Sequence, residues 1–254
     1  MTPTPEHEWT AQTESRILLA PDEVHIWRTS LNQGKWAVRA SLDILSHDER
    51  RRADKFYFER DREHFIVGRG VLRKILSRYL EVSPERISFA YNQYGKPALS
   101  AEAGDQHLRF NVSHSHGLAL YAFARGREVG IDIEFAREDF ASLEIAGHFF
   151  SPQEVATLRA LPASELTRAF FNCWTRKEAF IKALGEGLSH PLDTFAVSLK
   201  LGAPASLLSV DGLPQEAARW SLMELFPGEG YVAALAVEGE MPVLRYTQWD
   251  EFTR

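Results

Sequence analysis

Two carboxylates stand two positions apart in an otherwise apolar run, Val129-Gly130-Ile131-Asp132-Ile133-Glu134. On a strand, alternate residues share a face and lie roughly 6.6 Å apart along it. Ile131 and Ile133 then turn to a core, and Asp132 and Glu134 share the other face. Like charges side by side repel, and a cation between them removes the repulsion. Oxygen donors alone favour Mg²⁺ or Mn²⁺ over zinc. The bland alternative is a solvated strand face that happens to carry two acids.

A second group falls on a helix. Trp174, Glu178 and Lys182 recur at every fourth position, so they share one face. Glu178 offers a third carboxylate, while Lys177 and Lys182 offer positive charge to a phosphate. A surface Glu–Lys pair is the alternative. In Gly95-Lys96-Pro97 the proline ring forces Lys96 into extended backbone, and a lysine held that way suits an anion. Asn111-Val112-Ser113-His114-Ser115-His116 ends a strand. Serine and histidine adjacent in sequence rarely meet in the geometry of a nucleophile and its base. The pair His114/His116 lacks a third zinc ligand at a familiar spacing. Hydroxyl, amide and imidazole donors there suit phosphate contacts.

These residues need elements to hold them. Ser46 to Glu49 and Ser151 to Glu154 both read as capping boxes. Helical spacing runs from Phe56 to Tyr79 and again from Ser164 to Leu184. Strands are expected at 87–91, 108–112, 118–124, 128–135, 195–199, 220–226 and 231–237, with Arg125-Gly126-Arg127 turning 118–124 and 128–135 into a hairpin. Ser46 and Ser151, Glu49 and Glu154, and Phe65 and Phe170 are each 105 residues apart. Two helices followed by three strands therefore occur twice. The expectation is a duplicated α+β chain, halves 1–126 and 127–254, each a helix on a small, mainly antiparallel sheet.

Composition bounds the partners. The 254 residues carry 29 Lys+Arg against 35 Asp+Glu, a net charge of −6, so a non-specific nucleic-acid binder is not expected. The lone cysteine, Cys173, excludes an intrachain disulfide, fits a reducing cytoplasm and reads as apolar filler. No apolar run approaches the ~20 residues of a membrane helix. Residues 1–8 lack the pattern of a secretory signal and read as a disordered leader.

In order and spacing, Tyr94-Gly95-Lys96-Pro97, Phe110 to Ser115, Val129 to Glu134 and Trp174 to Lys182 resemble the Sfp-type 4′-phosphopantetheinyl transferases. The likeness continues through Gly185 to Ser189 and Pro191 to Asp193, and Ser46 to Tyr57 resembles the family's first basic helix. The resemblance implies a monomeric pseudodimer with coenzyme A in the cleft between its halves. It implies Mg²⁺-dependent transfer of the phosphopantetheinyl group to a serine of an acyl, peptidyl or aryl carrier protein, releasing adenosine 3′,5′-bisphosphate. By position, it makes Asp132, Glu134 and Glu178 the metal ligands, Lys182 the lysine at the attacked phosphate, and Glu178 the base. Lys96, Ser113 and His114 would hold the nucleotide end. Arg52, Arg69, Pro97, Asn111 and Lys177 complete the expected coenzyme A contacts. Arg50 or Arg51 would face outward towards an acidic carrier. A catalytically silent binding module and a metal-dependent phosphohydrolase are the competing readings.

Overall fold

A computed structural model describes residues 7–11, 15–200 and 202–250. Most of the expected leader, residues 1–6, lies outside the described residues. The chain runs β1 (Thr10–Ala11), β2 (Glu23–Ser30), α1 (Lys35–Asp43), α2 (His47–Ala53), α3 (Glu59–Leu80), β3 (Phe89–Tyr91), β4 (Pro97–Leu99), β5 (Leu108–Ser115) and β6 (Leu118–Arg125). It continues through β7 (Val129–Phe135), α4 (Leu143–Phe149), α5 (Pro152–Arg159), α6 (Ala163–Leu184), β8 (Phe195–Val197), β9 (Leu207–Val210), α7 (Pro214–Ala217), β10 (Trp220–Leu225), β11 (Tyr231–Glu238) and β12 (Val243–Gln248).

Two sheets carry the fold, in the orders β1-β12-β2-β6-β5 and β10-β11-β7. Apolar residues on alternate strand positions give each sheet two faces. The outer face of the first buries Trp27, Phe110, Tyr121 and Phe123 against Val67, Val71, Ile75 and Tyr79 of α3. The outer face of the second buries Leu222, Val232, Ala234 and Ala236 against Phe170, Phe180 and Ile181 of α6. The inner faces meet through Val24, Ile26, Leu120 and Ala122 against Ile131, Ile133, Leu235 and Val237. The layers are thus helix, sheet, sheet, helix.

The fold is the α+β arrangement expected, and the repeat has a physical counterpart. Ser46 N–H donates to Glu49, and that buried carboxylate pairs with Arg73 at 2.7 Å. Arg73 also donates to the carbonyls of Pro84 and Ile87. Likewise Ser151 N–H donates to Glu154, which pairs with Lys177 at 2.8 Å. Lys177 donates to the carbonyls of Leu192 and Phe195. In each half a capping-box glutamate and a buried cation on the long helix fasten the turn that follows it.

Three features differ from expectation. A helix that was not expected, α1, precedes the first capping box. The strand at 129–135 forms no hairpin with β6: it leaves the first sheet and pairs antiparallel with β11, Asp132 opposite Ala234. Finally, β2 and β12 extend the first sheet as a parallel pair, Val24 opposite Leu244, so the last strand returns to the sheet of the first half.

Candidate functional site

Where the edge strands of the two sheets meet, β5 and β7 lie side by side without a backbone ladder between them, and here the acids gather. Gly130 lets α6 lie directly on β7: a Cβ there would sit 2.1 Å from the Ala179 carbonyl oxygen and 2.3 Å from the Ala183 nitrogen. That close approach brings Glu178 and Lys182 of α6 over Asp132 and Glu134 of β7. Ring contacts of Trp174 with Phe140, Phe149 and Phe170 fix the helix further towards its N-terminus.

Asp132 is 2% exposed. Its Oδ1 accepts from Lys182 Nζ at 2.5 Å and from Ser113 Oγ at 2.9 Å. Its Oδ2 is buried without a partner. Glu134 accepts from Ser115 Oγ at 2.9 Å. Burial, then the Asp132 charge, pushes the Glu134 carboxyl up. The same causes, in the same order, push Glu178 up to about 7, against the pull of Lys182. The expected acids and Lys182 are thus close enough to perturb one another. Among the described residues, no three His, Cys, Asp or Glu side chains already converge as a metal cluster. The Lys182 ammonium supplies the positive charge at Asp132.

On the other face of β5, Val112 and His114 line a cavity of about 220 Å³, together with Arg52, His64, Phe65, Arg69, Gly95 and Pro97. Partial burial in the cavity wall, then the Lys182 and His64 charges, hold the His114 imidazole below its ordinary value. Arg69 lies over the Phe65 and Phe89 rings and 3.5 Å from Glu49. Expected residues Arg52, Arg69, Pro97 and His114 therefore share one pocket. His64, also held by Asn32 at 2.9 Å, was not foreseen; its signal is one helical turn's spacing from Gly68.

Four expected residues are placed elsewhere. Lys177 is a correction: it is fully buried, with its ammonium on Glu154 and two carbonyls, and faces the core rather than a phosphate. Lys96 reaches the C-terminal end of α6, donating to the Ala183 carbonyl at 2.9 Å and to Glu128 at 3.2 Å. Asn111 Oδ1 takes the Ile131 N–H instead of facing the cavity. Ser113 Oγ donates to Asp132 instead of facing the cavity, whereas Arg50 and Arg51 are exposed as expected, Arg50 donating to the Asp43 and Leu45 carbonyls at the end of α1. Sequence reading also passed over Gly130 and Ser115. A glycine inside an apolar strand signals close backbone approach, and hydroxyls repeating every second residue signal a shared face.

Residues 128–236 match the 4′-phosphopantetheinyl transferase superfamily, and residues 25–124 match the 4′-phosphopantetheinyl transferase N-terminal family. The 4′-phosphopantetheinyl transferase HetI of Nostoc sp. is 41% identical over 234 residues, 92% of this chain and 95% of that one. The 4′-phosphopantetheinyl transferase Sfp of Bacillus subtilis is 36% identical over 166 residues, 65% of this chain and 71% of that one.

Proposed function

From the chain's membership of the 4′-phosphopantetheinyl transferase superfamily, whose members move phosphopantetheine from coenzyme A to carrier proteins, we propose how its own residues divide the work. The observation that carries the reading is the meeting of Asp132, Glu134, Glu178 and Lys182 at the edge between β5 and β7. The silent-module reading is not favoured.

The cavity beside His114, Arg52, Arg69 and His64 takes the nucleotide end of coenzyme A, where guanidinium and imidazole donors meet phosphate. The pyrophosphate then lies towards Lys182. The carrier serine oxygen bonds to the phosphorus next to pantetheine, and the bond from that phosphorus to the bridging oxygen breaks. Adenosine 3′,5′-bisphosphate leaves with the bridging oxygen. Lys182 stabilises charge growing on the transferred phosphoryl. Glu178, with its carboxyl pushed up to about 7, is poised to receive the serine proton.

Asp132, Glu134 and Glu178 would hold a divalent cation. Two features fit it: donors that are all oxygen, and a buried Asp132 oxygen that nothing satisfies. Bound there, Mg²⁺ or Mn²⁺ would neutralise pyrophosphate charge. The two halves, 1–126 and 127–254, supply the pocket and the acids respectively, so one chain suffices as a monomer. The buried Cys173 thiol suits a reducing cytoplasm. Among the described residues no helix is long and apolar enough to cross a membrane. Intact-mass spectrometry of acyl, peptidyl and aryl apo-carriers, incubated with coenzyme A and either Mg²⁺ or a chelator, tests the reading. A phosphopantetheine mass gain on none of them, or one indifferent to chelation, refutes it.

A further inference from the structure

Three backbone N–H groups of β7 donate across the gap to β5, and each finds a side chain rather than a carbonyl. Ile131 N–H donates to Asn111 Oδ1 at 2.9 Å, Ile133 N–H to Ser113 Oγ at 3.4 Å, and Phe135 N–H to Ser115 Oγ at 3.1 Å. The partners are 20 positions apart each time, so the strands run parallel and in step. Buried backbone donors need acceptors. Here alternate side chains of β5 supply them, which holds β7 a side chain's length from the neighbouring backbone.

The two serines do more than accept. A hydroxyl has one proton. Because Phe135 N–H takes a lone pair of Ser115 Oγ, that proton is free for Glu134, at 2.9 Å. Ser113 gives its proton to Asp132 while accepting from Ile133 N–H and Lys182. Each acid is therefore oriented by a serine that the acid's own strand orients. Asn111 completes the series opposite Gly130, where there is no acid to orient.

We infer that Ser115 is a positioning residue for Glu134, the last rung of a side-chain ladder Asn111-x-Ser113-x-Ser115 that joins the halves and aims the acids in one operation. The inference rests on the proposed reading of those acids. Losing an outer partner of a metal-binding carboxylate weakens metal binding by roughly 10- to 100-fold. Ser115→Ala should therefore lower Mn²⁺ affinity about tenfold. It should also lower kcat while leaving KM for coenzyme A within about twofold, because the nucleotide pocket lies on the other face of β5.

Asn111→Ala separates aiming from joining: it removes one rung that faces no acid. It should lower the melting temperature and leave Mn²⁺ affinity within about twofold, since only the rungs beside acids aim a ligand. Mn²⁺ titration by water-proton relaxation, thermal melts and steady-state kinetics read all three quantities. The proposal is overturned if Ser115→Ala binds Mn²⁺ as wild type does. It is also overturned if Asn111→Ala loses Mn²⁺ to the same degree, since loosening the gap would then account for both. Wild type that binds no Mn²⁺ would instead sink the cation reading. Ser115 would then be judged on kcat alone: a larger fall for Ser115→Ala than for Asn111→Ala upholds its role, and an equal fall removes it.

Discussion

Replacing Glu178 by glutamine should make the metal-free protein more stable, and only at high pH. Glu178 stands near Asp132 and Glu134, and burial and their charges raise its carboxyl from 4.5 to about 7. A raised acid binds its proton more tightly when folded. Between those two values the native state holds more protons than the unfolded chain, so stability falls as pH rises. Below 4.5 the penalty is absent, and above about 7 it is complete. At 1.36 kcal/mol per unit the ceiling is about 3 kcal/mol, and solvent at the rim reduces the expected gain to roughly 1–2 kcal/mol. Glutamine keeps the shape and cannot ionise. With chelator present, Glu178→Gln should exceed wild type by that amount at pH 8 and match it at pH 4.5, by urea denaturation. Saturating Mg²⁺ should stabilise wild type by a few kcal/mol and the variant much less; binding at 100-fold over Kd is worth about 2.7 kcal/mol. A gain equal at both pH values, or a loss at pH 8, refutes the crowding of charge on which the site reading depends.

Lys182→Ala should lower kcat by roughly 100-fold or more and change coenzyme A affinity far less, because the ammonium acts on charge that develops in the transition state; a variant weak only in binding would contradict that role. Lys177→Met leaves Glu154 buried and unpaired, a change that typically costs about 3–5 kcal/mol, so its melting temperature should drop by roughly 10 °C. A stable Lys177→Met that lacked only coenzyme A affinity would return the residue to the site. Gly130→Ala should push α6 off β7 and reduce both stability and kcat, since the added Cβ would meet the helix backbone at 2.1 Å; circular-dichroism melts with kinetics would reveal a harmless substitution at once.

The acids on β7 and the face of α6 were legible because each follows a local period, two on a strand and nearly four on a helix. Asp132, Glu178 and Lys182 needed no knowledge of distant partners. Lys177 was misjudged because it adjoins Glu178 in sequence, yet one residue on a helix is a turn of about 100°. That rotation points it at the core, where the capping box of α5 left Glu154 in want of a cation. Both glutamates of the repeated boxes are 2% exposed, so both needed such a partner. The strand β2, Glu23–Ser30, was missed because His25, Arg28 and Thr29 break its apolar run. Tertiary partners bury them: His25 bonds Tyr79, and Thr29 bonds the Trp249 carbonyl. The turn at Gly126 was legible, but whether the next strand folds back or departs is decided by β11, about a hundred residues later.

Of the two matching helix-and-sheet arrangements, only the second carries the acids. His25 meets Tyr79 where the second half has Gly130 against Ala183. Two and four residues further on, Asp132 and Glu134 answer to Trp27 and Thr29, an indole and a hydroxyl. The strand edge that stays ajar beside β7 is shut beside β2, because β12 zips onto it in parallel with a full backbone ladder. Trp249, 3% exposed, follows β12 and packs tilted against Trp27. Apparent symmetry therefore overstates capacity: two matching halves should bind one coenzyme A between them, and isothermal titration should give a stoichiometry near one per chain, not two. Strand β2 is free of the repulsion that burdens β7, and its fully laddered sheet can serve as the stable wall against which the acidic strand is held open.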